Sequence, residues 1–343
     1  MMFALLAVVG AAVVVAFAGI VYQRIGAARD AERLSPAGRL IDIAGRRVHV
    51  VSRGEGAPAV WFESAIAASS LSWSRVQPDV GEFTATYAYD RPGLGWSDPS
   101  AEVLTAERVV EHLRALIASQ SSASSTPAPC VLVGHSFGAF VCLMLAATYP
   151  RDVHGLVLVD PPTDWIAMDR RQIYLLRGAR QMSKLGRALA RLGVVRACLA
   201  LLTGGAPAAP RHFIKVFGPS TAHTIERLVG EIRKLPPQVY PLVQAAWCQP
   251  KSFQAMAGYL TVFEQAAASM RHQRLPSDMP LTVISAGDQP DDVKAEHERL
   301  ALSSARGRHV VAQNSGHWVP FDQPELIVAA IKEIVKTKTW HDP

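Results

Sequence analysis

The sequence predicts an α/β fold with a mostly parallel central sheet flanked by helices and an inserted helical cap. Short apolar runs, which are typical of buried strands, alternate with segments whose apolar residues recur at helical spacing. One such run, residues 131–133, leads through a glycine-containing turn into a helical segment over 139–149. The interval between Asp160 and Pro280 is too long for one crossover helix, so we expect it to contain several amphipathic helices.

The individual elements can be predicted in chain order. Residues 39–52 alternate apolar and polar side chains around Ala44-Gly45, which predicts a β-hairpin. Residues 106–119 carry apolar side chains at helical spacing, and the centre of 71–83 also indicates a helix. Further apolar runs predict buried strands at 58–62, 84–89, 155–159, 281–285 and 309–312.

These elements divide the chain into five predicted parts. They are a transmembrane anchor (1–23), a linker (24–37), the first part of the α/β core (38–162), the helical cap (163–277) and the second part of the core (278–340). Predicted strands both precede and follow the cap, so we expect the sheet to form from both parts of the core.

The first residues predict a membrane helix. Phe3 to Tyr22 contains no charged residue, and about 20 apolar residues are enough to cross a bilayer. A cleavable signal peptide is the alternative, but it normally has a basic start, and no Lys or Arg precedes this run. Arg24, Arg29 and Arg33 follow it, so the positive-inside tendency predicts that the rest of the chain faces the cytoplasm.

Composition narrows the classes of function. The chain has 343 residues, 49% of them hydrophobic, and a formal net charge of +6. It contains no nucleic-acid-binding motif, so the basic balance favours contact with a membrane surface. Its four cysteines form no C-x-x-C pair, and its histidines lack ligand spacing, so we expect free thiols and neither a metal nor another cofactor.

The turn at residues 134–138 (GHSFG) has the G-x-S-x-G pattern. Between a strand and a helix, this pattern places the serine on a strained elbow with its hydroxyl exposed at the edge of the sheet. Gly134 and Gly138 are expected where a side chain would clash across the bend. Ser136 is therefore the predicted nucleophile, and His135 is predicted to be a packing residue rather than a second base.

A serine nucleophile needs a base and an acid that orients the base. On a strand–elbow–helix scaffold the chain order is Ser, acid, His, and Ser136, Asp288 and His317 occur in that order after predicted strands. Asp160 and Asp164 are alternative acids because they follow the strand after the nucleophile helix. We predict the triad Ser136–His317–Asp288 and keep those two alternatives open.

With these motifs in place, residues 38–336 resemble the capped α/β-hydrolases. The resemblance extends to the turn at 90–98 (DRPGLGWSD), interpreted as structural, and to 316–325 (GHWVPFDQPE). It implies that the N–H of Phe137 is one oxyanion donor. The second donor comes from the loop at 62–66 (FESAI), where this family commonly has His-Gly, and it corresponds to the N–H of Ile66.

The resemblance implies a serine hydrolase that cleaves carboxylic esters or thioesters. The apolar cap segment 173–176 (IYLL) suits an uncharged, apolar substrate, and the cationic residues of 165–205 form either a solvated face or a contact with anionic lipid. Epoxide and haloalkane hydrolases of this fold use Asp at the elbow, so Ser136 argues against both. Acyl transfer, C–C bond hydrolysis and a catalytically silent, membrane-tethered binding module remain alternatives.

Overall fold

The computed structural model describes residues 1–120, 129–163, 170–203, 234–270, 274–338 and 340. Its strands are β1 (Arg39–Ile43), β2 (Arg46–Arg53), β3 (Val60–Glu63), β4 (Thr86–Tyr89), β5 (Cys130–His135), β6 (Val153–Val159), β7 (Leu281–Ala286) and β8 (Gly307–Ala312). The helices in the described ranges are α1 (Met2–Arg33), α2 (Gln77–Val80), α3 (Ala106–Gln120), α4 (Phe137–Thr148), α5 (Arg170–Arg191), α6 (Val194–Thr203), α7 (Tyr240–Trp247), α8 (Pro250–Met270), α9 (Asp291–Ala301), α10 (Val319–Asp322) and α11 (Pro324–Val335).

The eight strands form one sheet in the order β1-β2-β4-β3-β5-β6-β7-β8. β2 pairs antiparallel with β1 and β4, and the other neighbouring strands are parallel. The predicted hairpin is present, with Ala44 at φ 53° and Gly45 at φ 77° in its turn. The mostly parallel sheet flanked by helices is therefore confirmed.

Burial explains why the central strands contain continuous apolar runs. Every residue of β5 and β6 is buried, as expected for parallel strands covered on both faces. Ten of the twelve residues of α4 are also buried, which explains the apolar sequence of that helix. The carboxyl ends of β5 and β6 are thus held rigidly at one edge of the sheet.

The residues fall into two compact units, Met1–Pro36 with Gln181–Ala257 and Ala37–Arg180 with Gly258–Pro343. The second unit contains the whole sheet. The first contains α1, α6 and α7, with parts of α5 and α8. The boundaries predicted for the anchor, linker and cap remain predictions, although α1 continues through most of the predicted linker.

Inside the first unit, the second half of α1 has a packed face. A Cβ on Gly19 would lie 2.2 Å from the carbonyl oxygen of Leu192, so only glycine permits this close approach. Gln23 is buried and donates to the carbonyl of Cys248 at 2.9 Å. Arg196 donates to the Gln23 side chain at 3.0 Å and to Asp30 at 2.7 Å. Residues 2–15, by contrast, are all exposed.

Candidate active site

Ser136 lies between β5 and α4 with φ 55° and ψ −121°. A non-glycine residue in such a conformation costs on the order of 1–3 kcal/mol and persists only where its surroundings enforce it. A Cβ at Gly134 would lie 2.5 Å from Ala139 Cα, and one at Gly138 would lie 2.2 Å from the carbonyl oxygen of Glu63. The two glycines thus allow the tight elbow that the sequence pattern predicts.

His317 follows β8 and is held by a carboxylate from another strand. Its Nδ1 lies 2.6 Å from Oδ2 of Asp160, which follows β6 directly and whose side chain is fully buried. Asp160 also accepts the backbone N–H of Ala286 at 3.1 Å and the side-chain amide of Gln289 at 2.7 Å. The Asp160 carboxylate therefore accepts three hydrogen bonds, from His317, Ala286 and Gln289.

These contacts decide the protonation of Asp160. Burial by itself would raise the pKa of this carboxyl, but the hydrogen bond and charge of His317, with the amides of Ala286 and Gln289, outweigh burial and hold the pKa below its ordinary value. Asp160 is thus ionised at neutral pH. It accepts the Nδ1–H of His317, which leaves Nε2 of His317 as an acceptor.

The partner expected for His317 was Asp288, and the structure corrects this pairing. Asp288 is exposed in the turn after β7, and its backbone N–H points to the carbonyl of Ser315 at 3.4 Å. The turn directs the Asp288 side chain to solvent and brings Gln289 to Asp160 instead. The alternative acid Asp160 occupies the position beside the imidazole, whereas Asp164 lies outside the described residues.

Asp160 reaches His317 through an unusual backbone conformation. Its φ is 42°, in the left-handed region, and its N–H donates to the carbonyl of Ile284 at 2.7 Å. The chain therefore turns at the end of β6, and the Asp160 carboxylate remains at the carboxyl edge of the sheet. Chain order could not decide between the two acids, because both Asp160 and Asp288 lie between Ser136 and His317.

Ser136 and His317 are brought to the same edge of the sheet without a direct bond. His135, next to Ser136, contacts His317 with ring centroids 4.8 Å apart. Among the described residues no hydrogen bond joins Ser136 Oγ to His317. Such contacts are often long in ligand-free enzymes and shorten when substrate binds.

His135 packs against His317, the predicted base. It is fully buried, and its Nε2 donates to the carbonyl oxygen of His317 at 2.7 Å. Burial, with the nearby His317, lowers the pKa of His135 to about 3. The imidazole is thus neutral at neutral pH, which suits a positioning contact rather than proton transfer.

This pKa predicts an acid-sensitive fold. The pKa of His135 falls from 6.5 to about 3 on folding, so the unfolded chain binds more protons between those values. The contribution of neutral His135 to the free energy of unfolding is therefore fully present above the pKa of the unfolded chain. It is lost as the pH falls below that pKa, by about 2 kcal/mol near pH 5. In urea unfolding, the free energy of unfolding should fall less between neutral and acidic pH for His135→Asn than for wild type. The asparagine keeps a donor for the His317 carbonyl. Equal losses in both proteins would contradict this assignment.

The predicted oxyanion donors lie on two adjacent segments. Phe137 begins α4, and Ile66 lies in the turn after β3. The close approach of Gly138 to the carbonyls of Glu63 and Ser64 places this turn against the first turn of α4. Ala65, which stands in place of the usual glycine, does not adopt a positive φ, so its side chain fits this loop without strain.

The turn at residues 90–98 is held by buried hydrogen bonds. The buried carboxylate of Asp90 accepts the N–H of Ser70 at 2.7 Å and that of Trp96 at 2.9 Å. It also lies 2.9 Å from Nδ1 of His49. A Cβ at Gly95 would lie 2.0 Å from the Asp90 carboxylate, so glycine is required there.

A second polar network was not predicted. Ser285 Oγ lies 2.8 Å from Nδ1 of His297 and 2.7 Å from Nε2 of His309. Nε2 of His297 then lies 2.8 Å from the carbonyl oxygen of Pro161, the residue after Asp160. The network holds the chain that carries Asp160, and no sequence motif identifies it. Within the ranges described, no group of three or more His, Cys, Asp or Glu could hold a metal ion.

A model of the alpha/beta hydrolase family matches residues 48–330. This range begins in β2, ends in α11 and includes Ser136, Asp160 and His317. The chain belongs to the alpha/beta hydrolase family. The resemblance stated from the sequence motifs is thereby confirmed.

Two curated proteins with named activities are similar to parts of the chain. 2-(Acetamidomethylene)succinate hydrolase of Mesorhizobium japonicum is 24% identical over 262 residues, which cover 73% of this chain and 87% of that protein. Lipase LipV of Mycobacterium tuberculosis is 34% identical over 127 residues, which cover 37% of this chain and 45% of that protein.

Among solved structures, an epoxide hydrolase of Bacillus megaterium has a TM-score of 0.62 at 14% identity, with 87% of this chain and all of that chain covered. At this identity the likeness shows the fold alone. Three further curated relatives are uncharacterized proteins, and the aligned segments span only 42–43% of the length of those proteins.

Proposed function

We propose that the protein is a serine hydrolase that cleaves carboxylic esters or thioesters of apolar substrates. One observation carries the proposal. Ser136 stands on a strained elbow at the sheet edge where the buried Asp160 carboxylate fixes Nδ1 of His317 at 2.6 Å. This arrangement supplies a nucleophile, a base in the correct tautomer and an acid that stabilises the charged base.

In this proposal Nε2 of His317 removes the Ser136 proton as Oγ attacks the carbonyl carbon of the ester. The negative charge that develops on the carbonyl oxygen is stabilised by the N–H groups of Phe137 and Ile66, and Asp160 stabilises the imidazolium. His317 then gives the proton to the leaving alcohol or thiol, which leaves an acyl group on Ser136. Water, activated by the same imidazole, releases the acid.

Exposed apolar side chains of the predicted cap segment support an apolar substrate. The Phe137 ring lies 5.7 Å from the Tyr259 ring and 6.2 Å from the Phe263 ring, measured between centroids. Tyr174 and Leu175, from the predicted cap segment, are 77% and 59% exposed. The rings around Phe137 are buried against one another, so the exposed residues of the cap segment are the better support for an apolar substrate.

The direct test is covalent labelling of the full chain in mild detergent. A fluorophosphonate probe should label Ser136, as mapped by mass spectrometry, and p-nitrophenyl esters of increasing acyl length should be hydrolysed. Added alcohol or amine acceptors would detect acyl transfer, and a β-diketone substrate would detect C–C bond hydrolysis. A folded chain without labelling or turnover would contradict the proposal and favour the silent binding module.

Membrane attachment is the second part of the proposal. α1 is long and apolar enough to cross a membrane, with a mean hydropathy of 2.8 in its most apolar window, although a signal sequence near an N-terminus passes the same test. We infer that it anchors the chain with the catalytic domain facing the cytoplasm. α5, which has seven cationic residues and no Asp or Glu, offers a further contact for anionic lipid.

Alkaline carbonate extraction of cell membranes tests this anchor. The full chain should stay with the membrane, because alkaline carbonate removes peripheral proteins but not spanning helices. A variant that lacks residues 2–15 should be released and still fold, because it retains the packed face around Gly19 and Gln23. An N-terminus found downstream of residue 15 in the mature protein would establish cleavage and contradict the anchor.

A further inference from the structure

Arg91 is a buried cation beside the elbow that the proposed mechanism does not use. Its side chain is 3% exposed, and it is paired with Glu63, which is 2% exposed. Nη1 donates to the carbonyl oxygen of Ser64 at 2.6 Å, and Nη2 donates to those of Ala65 at 2.6 Å and Ile66 at 3.0 Å. Three successive carbonyls of the loop after β3 thus point at one guanidinium.

The direction of these carbonyls fixes the direction of the amides that follow them. In a trans peptide the C=O of one residue and the N–H of the next point in opposite directions. Because the Ala65 carbonyl points at Arg91, the N–H of Ile66 points away from Arg91. Ile66 is the residue whose N–H is predicted as the second oxyanion donor.

The guanidinium is itself held in place. It lies over two neighbouring aromatic rings, 5.0 Å from the centroid of Phe137 and 4.8 Å from that of Tyr259. The Tyr259 hydroxyl donates to the carbonyl of Pro92 at 3.1 Å, and the Tyr89 hydroxyl donates to Glu63. A planar guanidinium packed against these rings presents its donors in a fixed fork, which the single ammonium of lysine cannot reproduce.

Arg91 also connects the two segments that carry the predicted donors. It contacts the Phe137 ring on one side and the carbonyls of the loop on the other. This loop contains Ser64-Ala65 where related enzymes commonly have His-Gly, so it lacks the glycine that usually sets its shape. The fork of Arg91 provides an alternative means of setting that shape.

We propose that Arg91 is a positioning residue that directs the Ile66 N–H toward the oxyanion through its hydrogen bonds to the carbonyls of residues 64–66. The inference rests on the proposed serine hydrolase function. Because Glu63 balances the charge of Arg91, the contribution is orientation of the donor rather than positive potential at the oxyanion.

Arg91→Lys tests this role in the full chain, because it keeps the charge and removes the fork. The expected result is a kcat for p-nitrophenyl esters lower by about tenfold to a hundredfold with little change in KM, since one oxyanion donor is misdirected. A trifluoromethyl ketone, whose adduct with Ser136 carries an oxyanion, should bind more weakly by the same factor, and the matched methyl ketone should not.

Arg114→Lys is the matched control. Arg114 also pairs with a carboxylate, Asp152 at 2.7 Å, and lies 4.2 Å from the centroid of the Tyr149 ring, but it contacts no residue of the proposed site. Its replacement should leave kcat and both ketone affinities unchanged. Arg91→Lys with unaltered trifluoromethyl ketone affinity would overturn the proposal.

Hydrogen–deuterium exchange of the peptide covering residues 60–72 gives a readout independent of turnover. Exchange should be at least about tenfold faster in Arg91→Lys than in wild type or Arg114→Lys, because carbonyls that hold the loop lose their donors. If Arg91→Lys does not fold, Tyr259→Leu, which removes one stacking ring, should show the same changes to a smaller degree. Unchanged exchange in the folded variant would overturn the positioning role even if the wild-type chain hydrolyses no ester. A wild-type chain without turnover would refute the proposed function alone.

Discussion

Replacing Ser136 with alanine is expected to lower kcat for p-nitrophenyl esters by at least about 10⁴-fold and to abolish fluorophosphonate labelling. In the proposed mechanism this hydroxyl is the protein group that forms a bond to the acyl carbon. Any remaining rate would come from binding and the oxyanion donors. Steady-state kinetics and gel fluorescence of the labelled protein measure both effects.

Ser119→Ala is the control for this substitution. Ser119 lies in α3, far along the chain from the elbow, and its hydroxyl donates only locally, to the carbonyl of Leu116 at 2.7 Å. Its loss should leave turnover and labelling unchanged. Ser136→Ala should also unfold at about the wild-type temperature, because the elbow backbone is held by the Ser136 N–H, which donates to the Val159 carbonyl at 2.9 Å, rather than by the hydroxyl. Undiminished turnover in Ser136→Ala would refute the serine mechanism.

Asp160→Asn is expected to lower kcat by about 10³- to 10⁴-fold. The amide oxygen can still accept the Ala286 N–H, so the geometry at the end of β6 should persist. The replacement removes the charge that stabilises the imidazolium, and an amide N–H facing Nδ1 would favour the wrong tautomer of His317. The pH–rate profile and kcat of the purified variant measure this effect.

Asp288→Asn is the matched comparison for Asp160→Asn. Both residues follow strands between Ser136 and His317, but Asp288 is exposed in its turn, and no described side chain bonds to its carboxylate. Its replacement should change kcat by less than about twofold, as for surface substitutions in general. A large loss in Asp288→Asn with an active Asp160→Asn would restore the pairing first expected from chain order.

Much of the fold could be predicted from local patterns. Strands such as β5 and β6 are continuous apolar runs because both faces of a parallel sheet are covered, and the hairpin of β1 and β2 turns at Ala44-Gly45, where positive φ is needed. α1 extends past the predicted anchor, to Arg33. Its second half carries polar residues such as Gln23, whose burial depends on the distant residues Arg196 and Cys248.

The amino-acid sequence by itself indicated the family, the elbow at Ser136, and His317 as the imidazole of the proposed site, because the motifs that carry them consist of residues adjacent in the chain. Only the tertiary structure decided which carboxylate meets His317 and how Arg91 holds the loop of Ile66. Those contacts join strands and turns far apart in sequence. Chain order leaves the two acids equivalent. The positive φ of Asp160 brings its carboxylate to His317, whereas the turn after β7 leaves Asp288 exposed.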